Sequence, residues 1–101
     1  MLSLMKNKID ELQLLCEKYD VKSMYLFGSA TTEKFNDSSD IDILISFKEI
    51  PFEKYTDNYF ELHEMLEKLF NRKIDLLTEK SLSNPYFIQS IEKTKQLVYA
   101  A

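Results

Sequence analysis

The sequence predicts a small α/β protein: a mixed sheet of three to four strands with helices packed on it. Three observations carry that expectation. Residues 2–19 and 53–71 place apolar side chains at gaps of three and four, the period of an amphipathic helix. The runs 22–27, 40–46 and 73–78 are short, apolar and bounded by polar turns, as strands are. The two patterns alternate along the chain, which is the order that layers helices against a sheet.

In the first helix the stripe is Leu2, Met5, Ile9, Leu12, Cys16 and Tyr19, with Lys6, Lys8, Glu11, Glu17 and Lys18 on the wetter faces. Asp20 and Val21 close it, and Met24-Tyr25-Leu26-Phe27 forms the heart of the first strand. Residues 30–35 have room for a short helix before Asn36-Asp37-Ser38-Ser39, a strong turn signal. The second strand opens with Asp40-Ile41-Asp42, and Pro51 marks the loop after it. The second long helix carries Tyr55, Tyr59, Leu62, Leu66 and Leu69, with Phe60, His63 and Phe70 widening the stripe. Lys73-Ile74-Asp75-Leu76-Leu77-Thr78 is the third strand. Asn84 before Pro85 reads as a helix cap followed by a first-turn proline, with Phe87, Ile88 and Ile91 as the apolar side. Residues 96–99 have the pattern of a fourth, edge strand.

The bulk numbers exclude several classes. One hundred and one residues make one domain, 1–101, with a single core. A net charge of −4 argues against bulk electrostatic binding of nucleic acid, which needs many phosphate contacts. The lone Cys16 allows no internal disulfide. No apolar run reaches the roughly 20 residues that span a bilayer, and no signal-peptide pattern opens the chain. A cytoplasmic protein is the expectation.

Residues i and i+2 of a strand point the same way, so Asp40 and Asp42 are expected on one face with Ile41, Ile43 and Ile45 on the other. Their Cα atoms would lie about 6.6 Å apart. Two carboxylates that close repel unless a cation sits between them, and hard oxygen ligands suit Mg²⁺ or Mn²⁺. A neighbouring strand would bring Asp75 about 4.8 Å away. Asp40, Asp42 and Asp75 are therefore the candidate metal ligands and catalytic residues. In a two-ion site they would clamp the attacking and leaving oxygens of a phosphoryl centre, with Asp75 placed to accept the attacking hydroxyl's proton. Gly28-Ser29 ends the first strand where backbone can approach a phosphate closely. Gly28 and Ser29 are the candidate nucleotide-binding residues.

Gly28-Ser29, ten residues, then Asp40-Ile41-Asp42, resembles the signature of the DNA polymerase β-like nucleotidyltransferases. The size is similar to that of the minimal nucleotidyltransferase (MNT) members. Asp75 falls where that family's third carboxylate is expected. The resemblance spans about residues 25–99. It implies Mg²⁺-dependent transfer of a nucleotidyl group, often AMP from ATP. It also implies a HEPN-domain toxin as partner, with this chain as the antitoxin that modifies it. The loop departs from the pattern. Ala30-Thr31-Thr32-Glu33 stands where many relatives carry an Arg-Ala-Arg-Gly-like run, which leaves Lys34 as the loop's one cation. An antitoxin that neutralises its partner by binding alone stays open beside the enzymatic reading, as does sensing of nucleotide or metal without transfer. The chain's small size leaves little room for an acceptor site of its own, so a macromolecular acceptor, or a homo- or hetero-oligomer that completes the cleft, is expected.

The other reactive side chains have plainer roles. Asp37 reads as a turn residue, His63 as core-edge packing and Cys16 as a buried thiol. Tyr55, Tyr59 and Phe60 read as core or partner surface.

Overall fold

The computed structural model describes residues 7–28 and 40–101. The helix expected over 30–35, the turn at 36–39 and the helix start at Leu2 and Met5 lie outside the described residues. Within them the order is α1 (Ile9–Lys18), β1 (Val21–Phe27), β2 (Ile41–Phe47), α2 (Phe52–Phe70), β3 (Ile74–Thr78), a 3₁₀ turn (Glu79–Ser81), α3 (Pro85–Thr94) and β4 (Gln96–Ala100). The strands lie in the order β3-β2-β1-β4. β1 runs antiparallel to β2 and to β4, whereas β2 and β3 are parallel. A parallel pair needs a crossover, and α2 supplies it.

Strand alternation divides the side chains between two faces. Ile41, Ile43 and Ile45 of β2 are fully buried, with Met24, Leu26, Ile74 and Leu76 from the neighbouring strands, against Leu12 and Cys16 of α1 and Leu62, Leu66 and Phe70 of α2. The opposite face is thinner. Phe27 and Leu44 pack there with Ile91 of α3, and Tyr25, Leu77 and Leu82 close over them. Asp42 and Asp75 alternate onto this second face. Cys16 is buried and inert, its thiol pushed up to about 12 chiefly by desolvation.

In α2 the buried line runs through Asn58, Leu62, Leu66 and Phe70, which keeps Leu62 and Leu66 of the expected stripe and puts Asn58 and Phe70 inward where Tyr59 and Leu69 were expected. Tyr55 and Tyr59 are half-buried, and Phe60 is 64% exposed. The inward turn of residue 58 has a polar cause. Asn58 is drawn inward because its amide donates to Tyr19 O (2.9 Å) and to Asp20 Oδ2 (3.1 Å), which rotates Phe60 to the outside. Asn84 caps α3 as its sequence predicts, accepting from the backbone N–H groups of Tyr86 and Phe87.

β3 is an edge strand, and α2 covers its open side. The Tyr59 hydroxyl donates to Leu76 O (2.6 Å), His63 Nε2 donates to Ile74 O (2.7 Å), and Ile74 N–H donates to Glu67 Oε2 (3.1 Å). Residues 59, 63 and 67 are successive fours on one helix face, so one row satisfies the edge and blocks further strand pairing. No helix among the described residues is long and apolar enough to cross a membrane.

Candidate active site

β2 and β3 are in register, with Ile41 opposite Ile74 and Asp42 opposite Asp75. The closest carboxylate pair is therefore Asp42 with Asp75, across strands, rather than Asp40 with Asp42 along one strand. Asp40 falls one residue before β2. Its carboxylate lies 3.8 Å from Lys73 Nζ, and the backbone closes beside it through Ile41 N–H to Lys73 O (3.1 Å). Among the described residues no group of three or more His, Cys, Asp or Glu side chains converges closely enough to hold an ion.

Gly28 explains how Asp42 comes to sit at the end of β1. Phe27 pairs with Asp42 across β1 and β2, and Gly28 follows with φ +66°. A Cβ at this position would stand 2.5 Å from Asp42 Oδ2, so both the backbone conformation and the close approach favour glycine. The Gly28 N–H donates a long hydrogen bond to Thr94 Oγ1 (3.4 Å), which ties the end of β1 to the end of α3. Ser29 lies outside the described residues.

The electrostatics of the pair are unfavourable as it stands. Partial burial, then the hydrogen bond with Asp75, then the negative charges of Asp75 and Asp40 push the Asp42 carboxyl up to about 6. Such crowding is what a bound cation relieves. Mg²⁺ is commonly held by one or two carboxylates, with waters and substrate phosphates filling its other positions. Asp42 and Asp75 fit that requirement by donor type and by their in-register placement, and Asp40 adds negative charge nearby.

A cavity of about 490 Å³ opens beside the pair, lined by Asp42, Asp75, Lys73, His63, Phe27 and Phe87 among others. Phe87 packs edge-on to Phe27 at 6.2 Å between centroids. A second hollow of about 290 Å³ shares Tyr59, Leu76 and Leu77 with it and continues along β3 to Ser81. Sequence reasoning gave His63 and Tyr59 no part here. They reach this groove because they cap the edge of β3, a contact that becomes visible only once β3 is known to be the edge strand.

Comparison with known proteins gives a consistent lineage. Residues 8–101 match the family described as Polymerase beta, Nucleotidyltransferase. A Methanocaldococcus jannaschii chain assigned as a protein adenylyltransferase is 44% identical over 87 residues, covering 86% of this chain and 84% of that one. The protein adenylyltransferase MntA of Thermococcus cleftensis is 36% identical over 70 residues, 69% of this chain and 68% of that one. Among solved structures, a complex of tri-AMPylated Shewanella oneidensis HEPN toxin with MNT antitoxin contains a chain of the same fold. It superposes with a TM-score of 0.67 at 18% identity, over 96% of this chain and 73% of that one.

Proposed function

Because the chain belongs to the polymerase β nucleotidyltransferase family, we propose that it is a Mg²⁺-dependent adenylyltransferase that moves AMP from ATP onto a HEPN-type toxin. In this reading it is the antitoxin of the pair, works in the cytoplasm and acts as a single minimal domain. The observation that carries the reading is the in-register pair Asp42 and Asp75 beside a left-handed glycine whose missing side chain leaves room for Asp42. The relatives' names support the donor and a protein acceptor, and the AMPylated toxin complex supports the kind of partner.

In the reaction the acceptor hydroxyl attacks the α-phosphorus. The new O–P bond forms as the bond from the α-phosphorus to the bridging oxygen breaks, and pyrophosphate departs with that oxygen. When bound at the carboxylates, divalent ions supply Lewis acidity to the phosphoryl oxygens. Asp42 and Asp75 would hold the cation, with Asp40 contributing to the same negative charge. Asp75, on the edge-strand side that opens to the groove, accepts the proton of the attacking hydroxyl. Gly28 and Ser29 border the phosphates.

The test is transfer of labelled AMP from ATP to a purified HEPN-type partner with Mg²⁺ present. Asp42→Ala and Asp75→Ala should each lower transfer by about 10³-fold, since the charge stabilisation removed is several kcal/mol. Transfer that survives both substitutions contradicts the proposal. The arginine-poor loop at 30–33 favours a second reading, neutralisation of the toxin by binding alone. That reading predicts full rescue of growth by the Asp42→Ala protein.

A further inference from the structure

We infer that Lys73 is the lysine that receives the pyrophosphate portion of the nucleoside triphosphate, and that it exchanges Asp40 for phosphate when nucleotide binds. This rests on the nucleotidyltransferase reading and goes beyond it by assigning a residue to the leaving group.

The placement comes first. Lys73 immediately precedes β3 and lies level with Asp40 across the parallel pair, fixed there by Ile41 N–H donating to its carbonyl at 3.1 Å. It stands two residues before Asp75, so an extended chain puts both side chains on the same face. Its side chain lines the 490 Å³ cavity that Asp42 and Asp75 also line, and no other lysine or arginine is among the described residues that form that wall.

The second observation is how loosely the ammonium is held. Its distance to Asp40 Oδ2, 3.8 Å, is beyond a hydrogen bond, and the two side chains are 69% and 43% exposed. Pairs of this kind contribute little to stability. The contrast with Lys54 on Asp20 at 2.9 Å is plain. A lysine that stabilises the fold is expected to sit close to its partner, whereas Lys73 is mostly exposed and beyond hydrogen-bond distance of Asp40.

The third is the charge the substrate brings. A triphosphate needs cations at its β and γ groups, and residues 30–39 contain only Lys34. Lysine serves phosphate well as a mobile point charge. A divalent ion held at the carboxylates would compete with Lys73 for Asp40 and repel its ammonium, which favours its turning to the phosphates. With pyrophosphate gone, Lys73 returns to Asp40.

Calorimetric binding of α,β-methylene-ATP and of AMP, each with Mg²⁺, tests this without any turnover. Lys73→Gln should bind the triphosphate analogue about tenfold more weakly than wild type, a loss of about 1.4 kcal/mol, while AMP affinity stays the same. Lys73→Arg should restore most of the triphosphate affinity. Lys68→Gln, which removes a lysine paired with Glu64 on the outer face of α2, should match wild type. Equal triphosphate affinity in wild type and Lys73→Gln overturns the assignment and leaves the enzymatic reading intact. An equal loss for AMP and for the triphosphate overturns it too, since the lysine would then be shaping the site rather than binding pyrophosphate. A wild type that binds neither nucleotide overturns both.

Discussion

β1 has a carboxylate at each end, and the two are built in opposite ways. At its start Asp20 takes a left-handed backbone, φ 59°. Its side chain meets Lys54 at 2.9 Å and the Asn58 amide at 3.1 Å, and its carbonyl accepts from Lys48 N–H. The hydrogen bond from Lys54 leads a set of contacts that hold the Asp20 carboxyl below the usual range, against a smaller opposing effect of burial. At the strand's end the left-handed residue is Gly28, and the carboxylate packed on it, Asp42, meets another carboxylate. Burial and that neighbour push it up to about 6. The first acid is supplied with its counter-charges by the fold. The second meets like charge instead, the kind of environment that clusters at functional sites. The difference marks Asp42, and not Asp20, as the candidate functional acid.

The comparison can be broken at either end, and the effects should be unequal in kind. Gly28→Ala should be the most severe. The added Cβ forces Asp42 aside at a backbone angle that alanine tolerates poorly, so the protein should lose about 1–3 kcal/mol of stability and most of its transfer activity. Chemical denaturation and the labelled-AMP assay read the two losses separately. At the other end, Asn58→Ala strands Tyr19 O in the core and should lower stability by about 1–3 kcal/mol, while the rate per folded molecule stays at the wild-type value. Lys54→Ala is the mildest. Lys54 is about half exposed, and an ion pair of that sort is worth at most about 1 kcal/mol, so the melting temperature should shift by only a few degrees with activity unchanged. If Asn58→Ala lowered the rate per folded molecule as much as Gly28→Ala, the division of labour between the two ends would be wrong.

Much of this was legible beforehand, for reasons that differ by element. The isoleucines at 41, 43 and 45 mark one buried face of β2, and that alternation forces Asp42 onto the other. Asp75 announces itself in the same way between Ile74 and Leu76. Asn84-Pro85 names its own helix start. Three things were not legible. A buried Asn58 looks like a polar interruption of a stripe, because its partners Tyr19 and Asp20 lie some forty residues away. Asp75 was expected on the strand beside Asp40 and Asp42, but that Asp42 and not Asp40 is its direct partner depends on the register of a parallel pair, which side-chain pattern does not encode. The approach of Tyr59 and His63 to the groove depends on which strand is the edge. Gly28 was read as a place for phosphate to come close; the structure adds that Asp42 is what comes close. Ser29 lies outside the described residues, so its place at the phosphates remains part of the proposal.

The central claim is that Asp42 carries an uncompensated charge awaiting a cation, and melting curves across pH test it most directly. A carboxyl protonated more readily when folded than when unfolded stabilises the fold at low pH. That stability is present below the unfolded value of 3.8 and is lost as pH rises through about 6. Metal-free wild type should therefore become less stable across that window, and Mg²⁺ with α,β-methylene-ATP should restore the loss above pH 7. Asp42→Asn should melt higher than wild type at pH 7.5 without metal and gain little from the addition. Parallel pH profiles for the two proteins, with the same gain from Mg²⁺ and nucleotide, would contradict the account.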